Sequence, residues 1–139
     1  MSLVALFRDE TRRISALQII RNQRIVNRVA HKLGLRGEVG VTFVDDRNMS
    51  KFNHGPTDVL AFPYEGNGLY IGDIFINVDY LSRTRKQRDK VKRGEELLVH
   101  ALLHLKGYTH DDYRSYTTMR QTEARVLGRP CLPAWKQVD

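Results

Sequence analysis

One segment, His100-Ala101-Leu102-Leu103-His104-Leu105-Lys106-Gly107-Tyr108-Thr109-His110, constrains the fold of this chain more than any other. Leu97, Leu98, Leu102, Leu103 and Leu105 make its helical part apolar on most sides, which is how a buried helix reads. Histidines four apart project from the same face of a helix, so His100 and His104 can share an ion. Gly107 can take the left-handed conformation that ends helices, and the reversing chain can then deliver His110. The fold must therefore bury one helix and still bring three imidazoles to one point.

Three neutral imidazoles suit zinc and leave a fourth position for water or substrate, the arrangement of a catalytic site. A closed structural site usually takes four ligands, often thiolates, and Cys131 is the single cysteine. The bland alternative is one surface histidine and one satisfied core histidine, because four-residue spacing alone is a weak motif. The glycine and the third histidine at fitting offsets favour the metal. Ala101 stands where HExxH peptidases carry their glutamate base, so peptide hydrolysis of that kind is not expected.

A chain of 139 residues is most simply one domain, 1–139, large enough for its own core. No apolar run approaches the length needed to span a membrane, and Met1 to Phe7 lack the features of a secretory signal. One cysteine forms no internal disulfide and fits a reducing compartment, so a cytoplasmic protein is expected. Lys and Arg number 23 against 16 Asp and Glu, a formal charge of +7. The excess is clustered. Arg83 to Arg93 reads RTRKQRDKVKR, and Arg12, Arg13, Arg21, Arg24, Arg28, Lys32 and Arg36 run along the first helix. A solvated face explains such runs by itself. Beside a hydrolytic metal site they point to a polyanion, nucleic acid, held with salt-dependent affinity. Aromatic platforms for stacking bases are not obvious in the sequence.

Ser15 to Gly34 has helical apolar spacing with a closing glycine, and Val39, Val41 and Phe43 alternate as a strand. Asp45 to Asn48 turns into a short helix containing Met49 and Phe52. Asp58 to Phe62 is a second strand, Gly66-Asn67-Gly68 a turn, and Leu69 to Val78 the returning strand. A basic helix or helix-loop then runs to about Arg93, followed by the histidine helix from Glu95 to Lys106. Asp111 or Asp112 caps a last helix reaching Leu127, stopped by Gly128 and Pro130. The expected class is α+β: a small, mostly antiparallel or mixed sheet of three to four strands packed with about five helices. The zinc site falls on a central helix and the turn after it.

Three stretches carry a family likeness: Pro56-Thr57-Asp58-Val59-Leu60-Ala61-Phe62-Pro63, Gly72-Asp73-Ile74-Phe75-Ile76, and His100 to His110. With Met119 and Glu123 on the last helix, the chain resembles the YbeY family of zinc-dependent endoribonucleases from about residue 39 to 127. The resemblance implies one zinc ion per chain, or another divalent metal, on His100, His104 and His110. It implies cleavage of single-stranded RNA, maturation of ribosomal RNA ends, especially of the small subunit, and a part in ribosome quality control. The setting would be the bacterial cytoplasm, or an organelle in a eukaryote. The family usually has glycine where Ala101 stands.

The chain departs from the family at three places. Only His54 and Gly55 separate Asn53 from Pro56, where the family has a longer loop whose arginine is associated with RNA cleavage. Ala61 replaces a serine, and Thr109 stands where aspartate is frequent. The mechanism expected is metal-assisted hydrolysis of an RNA phosphodiester, or attack by the RNA's own 2′-hydroxyl. His104 carries the chemistry with Asp58 and Asp73, the carboxylates expected to orient a ligand histidine or a water. For those two, local backbone bonding is the alternative. Lys51, His54, Arg83, Arg85, Lys86 and Arg88 are the candidate RNA contacts. The rival function is a non-catalytic RNA- or ribosome-binding assembly factor with a structural zinc.

Overall fold

The computed structural model describes residues 3–52, 57–66, 68–84 and 86–130, with backbone only at Gln87 and Arg88. Among these the order is β1 (Leu3–Asp9), α1 (Ala16–Leu33), β2 (Gly37–Val44), α2 (Asp46–Met49), β3 (Val59–Pro63), β4 (Tyr70–Asn77), α3 (Val78–Ser82), α4 (Gln87–Lys106) and α5 (Tyr113–Leu127). The four strands form one sheet in the order β1-β2-β4-β3. The expected α+β class, with a four-stranded sheet and five helices, is what forms. The sheet is mixed: β1, β2 and β4 are mutually parallel and β3 is antiparallel to β4. A parallel pair needs a long crossover, and α1 supplies it between β1 and β2.

The caps of α1 follow the sequence. Ser15 accepts from the Gln18 backbone N–H while the Gln18 side chain accepts from Ser15 N, a reciprocal capping box. Gly34 ends the helix at φ 70°. Its Ile25, Val26, Val29 and Ala30 are buried, whereas Ile20, at helical spacing but off that stripe, is exposed.

Period-two alternation sends Leu3 and Ala5 of β1, Val39, Val41 and Phe43 of β2, and Ile74 and Ile76 of β4 into one core. Leu98, Val99, Ala101, Leu102 and Leu103 of α4 meet them there, all fully buried. Helix α4 thus lies at the centre, packed against β3, β4, α1 and α5. It is one continuous helix from Gln87, so part of the basic segment forms its first turns instead of a separate element. Gly94 lies within this helix where α3 packs on it, and a Cβ there would stand 3.4 Å from Leu81 Cδ1, an ordinary contact.

Charged side chains tie the layers near the middle of α4. Arg129, just past α5, donates to Glu96 at 2.8 Å and to Glu95 at 3.2 Å, and Arg21 of α1 reaches Glu95 at 3.1 Å. Both glutamates are buried, so these partners are needed to offset their desolvation. Asn77, fully buried, accepts from Asp79 N as the α3 cap and donates to Asp46 Oδ1 and the Thr57 carbonyl.

Candidate metal centre

His100 and His104 lie one turn apart on α4, with Ala101 packed behind them in the core. The helix ends at Gly107, whose φ of 115° turns the chain while its N–H still bonds the Leu103 and His104 carbonyls. Tyr108 N donates to Leu103 O at 2.9 Å, and the Tyr108 ring packs on the core, which fixes the turn. His110 follows three residues after the glycine. The three rings stand 4.6, 5.4 and 4.9 Å apart between centroids. One nitrogen from each lies within 4.8 Å of the others, so the three can hold one metal ion. His100 and His104 are half-buried and His110 is exposed, which leaves the cluster open to solvent on one side.

The hydrogen bonds decide which nitrogens are available. His104 Nδ1 lies 3.0 Å from the Tyr108 carbonyl, a pure acceptor, so Nδ1 carries the proton. His100 Nδ1 lies 2.6 Å from Oε2 of Glu123, and a carboxylate there likewise takes a donated N–H. With both imidazoles neutral, both Nε2 atoms present lone pairs, and they are 3.1 Å apart. Two lone pairs at that distance repel unless a cation lies between them. Two ligands at zinc–imidazole bond lengths around a tetrahedral ion would be separated by about 3.3 Å. The donor set therefore fits a metal. Burial, followed by the neighbouring His100, holds the His104 pKa below the ordinary imidazole value and so favours the neutral, ligating form.

Glu123 went without a role in the sequence reading beyond its place in the family likeness. It is 1% exposed on α5, on the same buried face as Met119 and Val126. An acid on an otherwise apolar helix face was the signal that could have identified it. Arg120, one turn earlier, donates to its second oxygen at 3.3 Å.

The two aspartates expected to orient a ligand histidine or a water bond elsewhere among the described residues. Asp58 Oδ1 accepts from Val59 N at 2.7 Å and from Thr57 Oγ1 at 3.3 Å, the local bonding given as the alternative. Asp73 alternates with the buried Gly72 and Ile74, so strand periodicity puts it on the sheet face away from α4. There it accepts from the Tyr70 hydroxyl. Burial and this carboxylate push the Tyr70 pKa up to about 12. Neither aspartate bonds a cluster histidine among the described residues.

Of the candidate RNA contacts, Lys51, Arg83 and Lys86 are exposed. Arg83 already pairs with Asp46 at 2.9 Å and lies 5.4 Å from the centre of the Tyr80 ring. His54, Arg85 and the Arg88 side chain lie outside the described residues, as do Asn53 to Pro56 of the short loop and Cys131. Of the basic set expected along the first helix, Arg12, Arg13 and Arg36 lie outside α1, and part of the set is structural: Arg13 pairs with Asp79, Arg28 donates to the Leu127 carbonyl and Lys32 to that of Arg125. Among the described residues, no helix is long and apolar enough to cross a membrane.

Residues 7–129 match a family model described as endoribonuclease YbeY. A Synechococcus protein named endoribonuclease YbeY is 32% identical over 106 residues, covering 65% of this chain and 64% of the relative, just under two thirds of its length. Proteins of that name from Alkaliphilus oremlandii and Oceanobacillus iheyensis are also similar. The first is 35% identical over 105 residues, covering 65% of this chain and 70% of its own. The second is 30% identical over 144 aligned positions, covering 88% and 94%. The fold is similar to the solution structure of a target protein from Thermotoga maritima, with a TM-score of 0.61, 20% identity and 90% of each chain covered.

Proposed function

The chain belongs to the endoribonuclease YbeY family, and we propose that it is a metal-dependent endoribonuclease acting on single-stranded RNA. The observation that carries the reading is the pair of Nε2 atoms 3.1 Å apart, with His110 beside them and one side open. Zinc is the ion we assign, because three neutral imidazoles with an open fourth position are its catalytic coordination. When bound, such an ion lowers the pKa of a water toward about 7 and polarises a phosphoryl oxygen.

This chain's own residues would do the rest. Glu123 and the Tyr108 carbonyl hold two imidazoles in the ligating tautomer and orientation. Ala101 offers no carboxylate base at the position peptidases use, which turns the site away from peptide hydrolysis. The formal charge of +7 favours a polyanionic substrate. With the same reading go ribosomal RNA as the physiological substrate, the ribosome as partner, a single domain over 1–139, and a bacterial cytoplasm; the relatives compared are bacterial.

The test is incubation of zinc-loaded wild type and His104→Ala with single-stranded ribosomal RNA. Cleavage by the wild type alone, abolished by a chelator and restored by zinc, is expected. Equal absence of cleavage with RNA binding intact would overturn the enzyme reading in favour of a binding factor.

A further inference from the structure

Helix α5 starts directly from the metal turn, because Asp112, two residues after His110, is its cap. Along it, Tyr113, Tyr116, Arg120 and Glu123 recur at spacings of three, four and three. At 100° per residue these positions stay within about 80° of arc, so they form one stripe. The inner end is Glu123, buried against His100. Next comes Arg120, which bonds Glu123 and is itself 28% exposed at the side chain. Tyr116 and Tyr113 follow at 41% and 84% exposure. By helical rise they stand about 10 and 15 Å along the axis from Glu123.

Single exposed tyrosines are ordinary on protein surfaces. Two on the helix face that also carries Arg120 and Glu123, the carboxylate bonded to His100, are a different arrangement. Neither ring makes a ring contact or side-chain hydrogen bond among the described residues. Of the two acids just before the helix, the cap Asp112 has its Oδ1 engaged by Ser115, and Asp111 is exposed.

We propose that this stripe is a subsite for single-stranded RNA next to the bond to be cut, with bases stacked on Tyr116 and Tyr113 and a phosphate held by Arg120. This rests on the endoribonuclease reading and names where that substrate lies. Aromatic rings bind unpaired bases with little sequence preference, because every base has a π face. A guanidinium has five donors in a planar fork, so it can take a phosphate oxygen while keeping its bond to Glu123.

The test uses zinc-loaded protein and a fluorescently labelled single-stranded oligoribonucleotide, with binding read by anisotropy and cleavage followed on the same samples. Tyr116→Ala and Tyr113→Ala are expected to weaken binding and raise KM by roughly 5- to 150-fold per lost stack, with zinc affinity unchanged. Tyr116→Phe should bind as wild type does, since the ring remains. Arg120→Gln should flatten the log–log salt dependence by about 0.7. Alanine variants that bind and cleave like wild type would overturn the subsite. Loss of binding in those variants, with a wild type that never cleaves, would uphold the stripe and sink the endoribonuclease reading.

Discussion

His100 Nδ1 sits 2.6 Å from Oε2 of Glu123, a carboxylate 23 residues away that is 1% exposed. This bond fixes the ring so that Nε2 faces His104, and it couples the metal centre to the packing of α5 on α4. Glu123→Gln keeps the side chain's size but replaces a charged acceptor with a neutral amide. Partners of this kind typically change metal affinity 10- to 100-fold. Titration against a chromophoric chelator should show zinc binding weakened by about that factor, with the helical content of the zinc-free protein unchanged. Unaltered zinc affinity in Glu123→Gln would show that the bond has no part in orienting His100.

Zinc added to the metal-free protein should raise its stability, because a ligand that binds only the folded state stabilises by mass action. At free zinc about 100-fold above Kd the gain is about 2.7 kcal/mol. For a domain of this size that corresponds to roughly 5–15 °C in Tm. His104→Ala removes one of the two convergent Nε2 atoms and should lose the shift. Differential scanning calorimetry of both proteins, with and without zinc, checks this. An equal rise in both would place the bound ion elsewhere.

Much of this architecture was readable because its signals are local. Ser15 with Gly34 and Asp112 with Gly128 mark helix ends through bonds to residues three or four away. The histidine run carries its own helix, stop and turn. What escaped depends on distant partners. Strand β1 alternates over only Leu3 to Asp9, and its ladder lies across α1, at Gly37 to Phe43. The break expected near Arg93 is absent: Gly94 stays helical within α4, where α3 packs against it, a contact the sequence near Gly94 does not reveal. Asp58 and Asp73 illustrate a further limit. Spacing along a strand gives alternation, but not which set faces the histidine helix. Glu123 was visible as an acid on a buried face, yet its distance in sequence from His100 hid the pairing.

Gly107 holds φ at 115° with no atom within 4 Å of where a Cβ would stand, so an alanine there meets backbone strain and not a clash. Strain of this kind costs about 1–2 kcal/mol. The same residue controls the Tyr108 carbonyl that binds His104 and the approach of His110. Gly107→Ala should therefore lower the unfolding free energy of the zinc-free protein by about that amount in a urea titration. It should also weaken zinc binding, because relaxing the turn shifts two of the three ligands. A stability loss with wild-type zinc affinity would mean that the turn is not what positions His110.

Asp79 offers a test through pH. Its carboxylate accepts from the Asp46 backbone N–H at 2.8 Å and pairs with Arg13, and these interactions hold its pKa below the ordinary aspartate value. A group with a depressed folded-state pKa binds protons more weakly in the folded chain than in the unfolded one. Its contribution is therefore present in full above the unfolded value and is lost as pH falls through the folded one. Asp79→Asn should destabilise the protein at pH 7 by on the order of 1 kcal/mol, discounted for partial solvent exposure. The difference should shrink as the pH is lowered below about 4, where the wild-type carboxylate begins to protonate in the unfolded chain. Urea midpoints of the two proteins at pH 7 and at successively lower values read this directly. A gap that stays constant down to strongly acid pH would mean that the charge of Asp79 contributes nothing and only its shape matters.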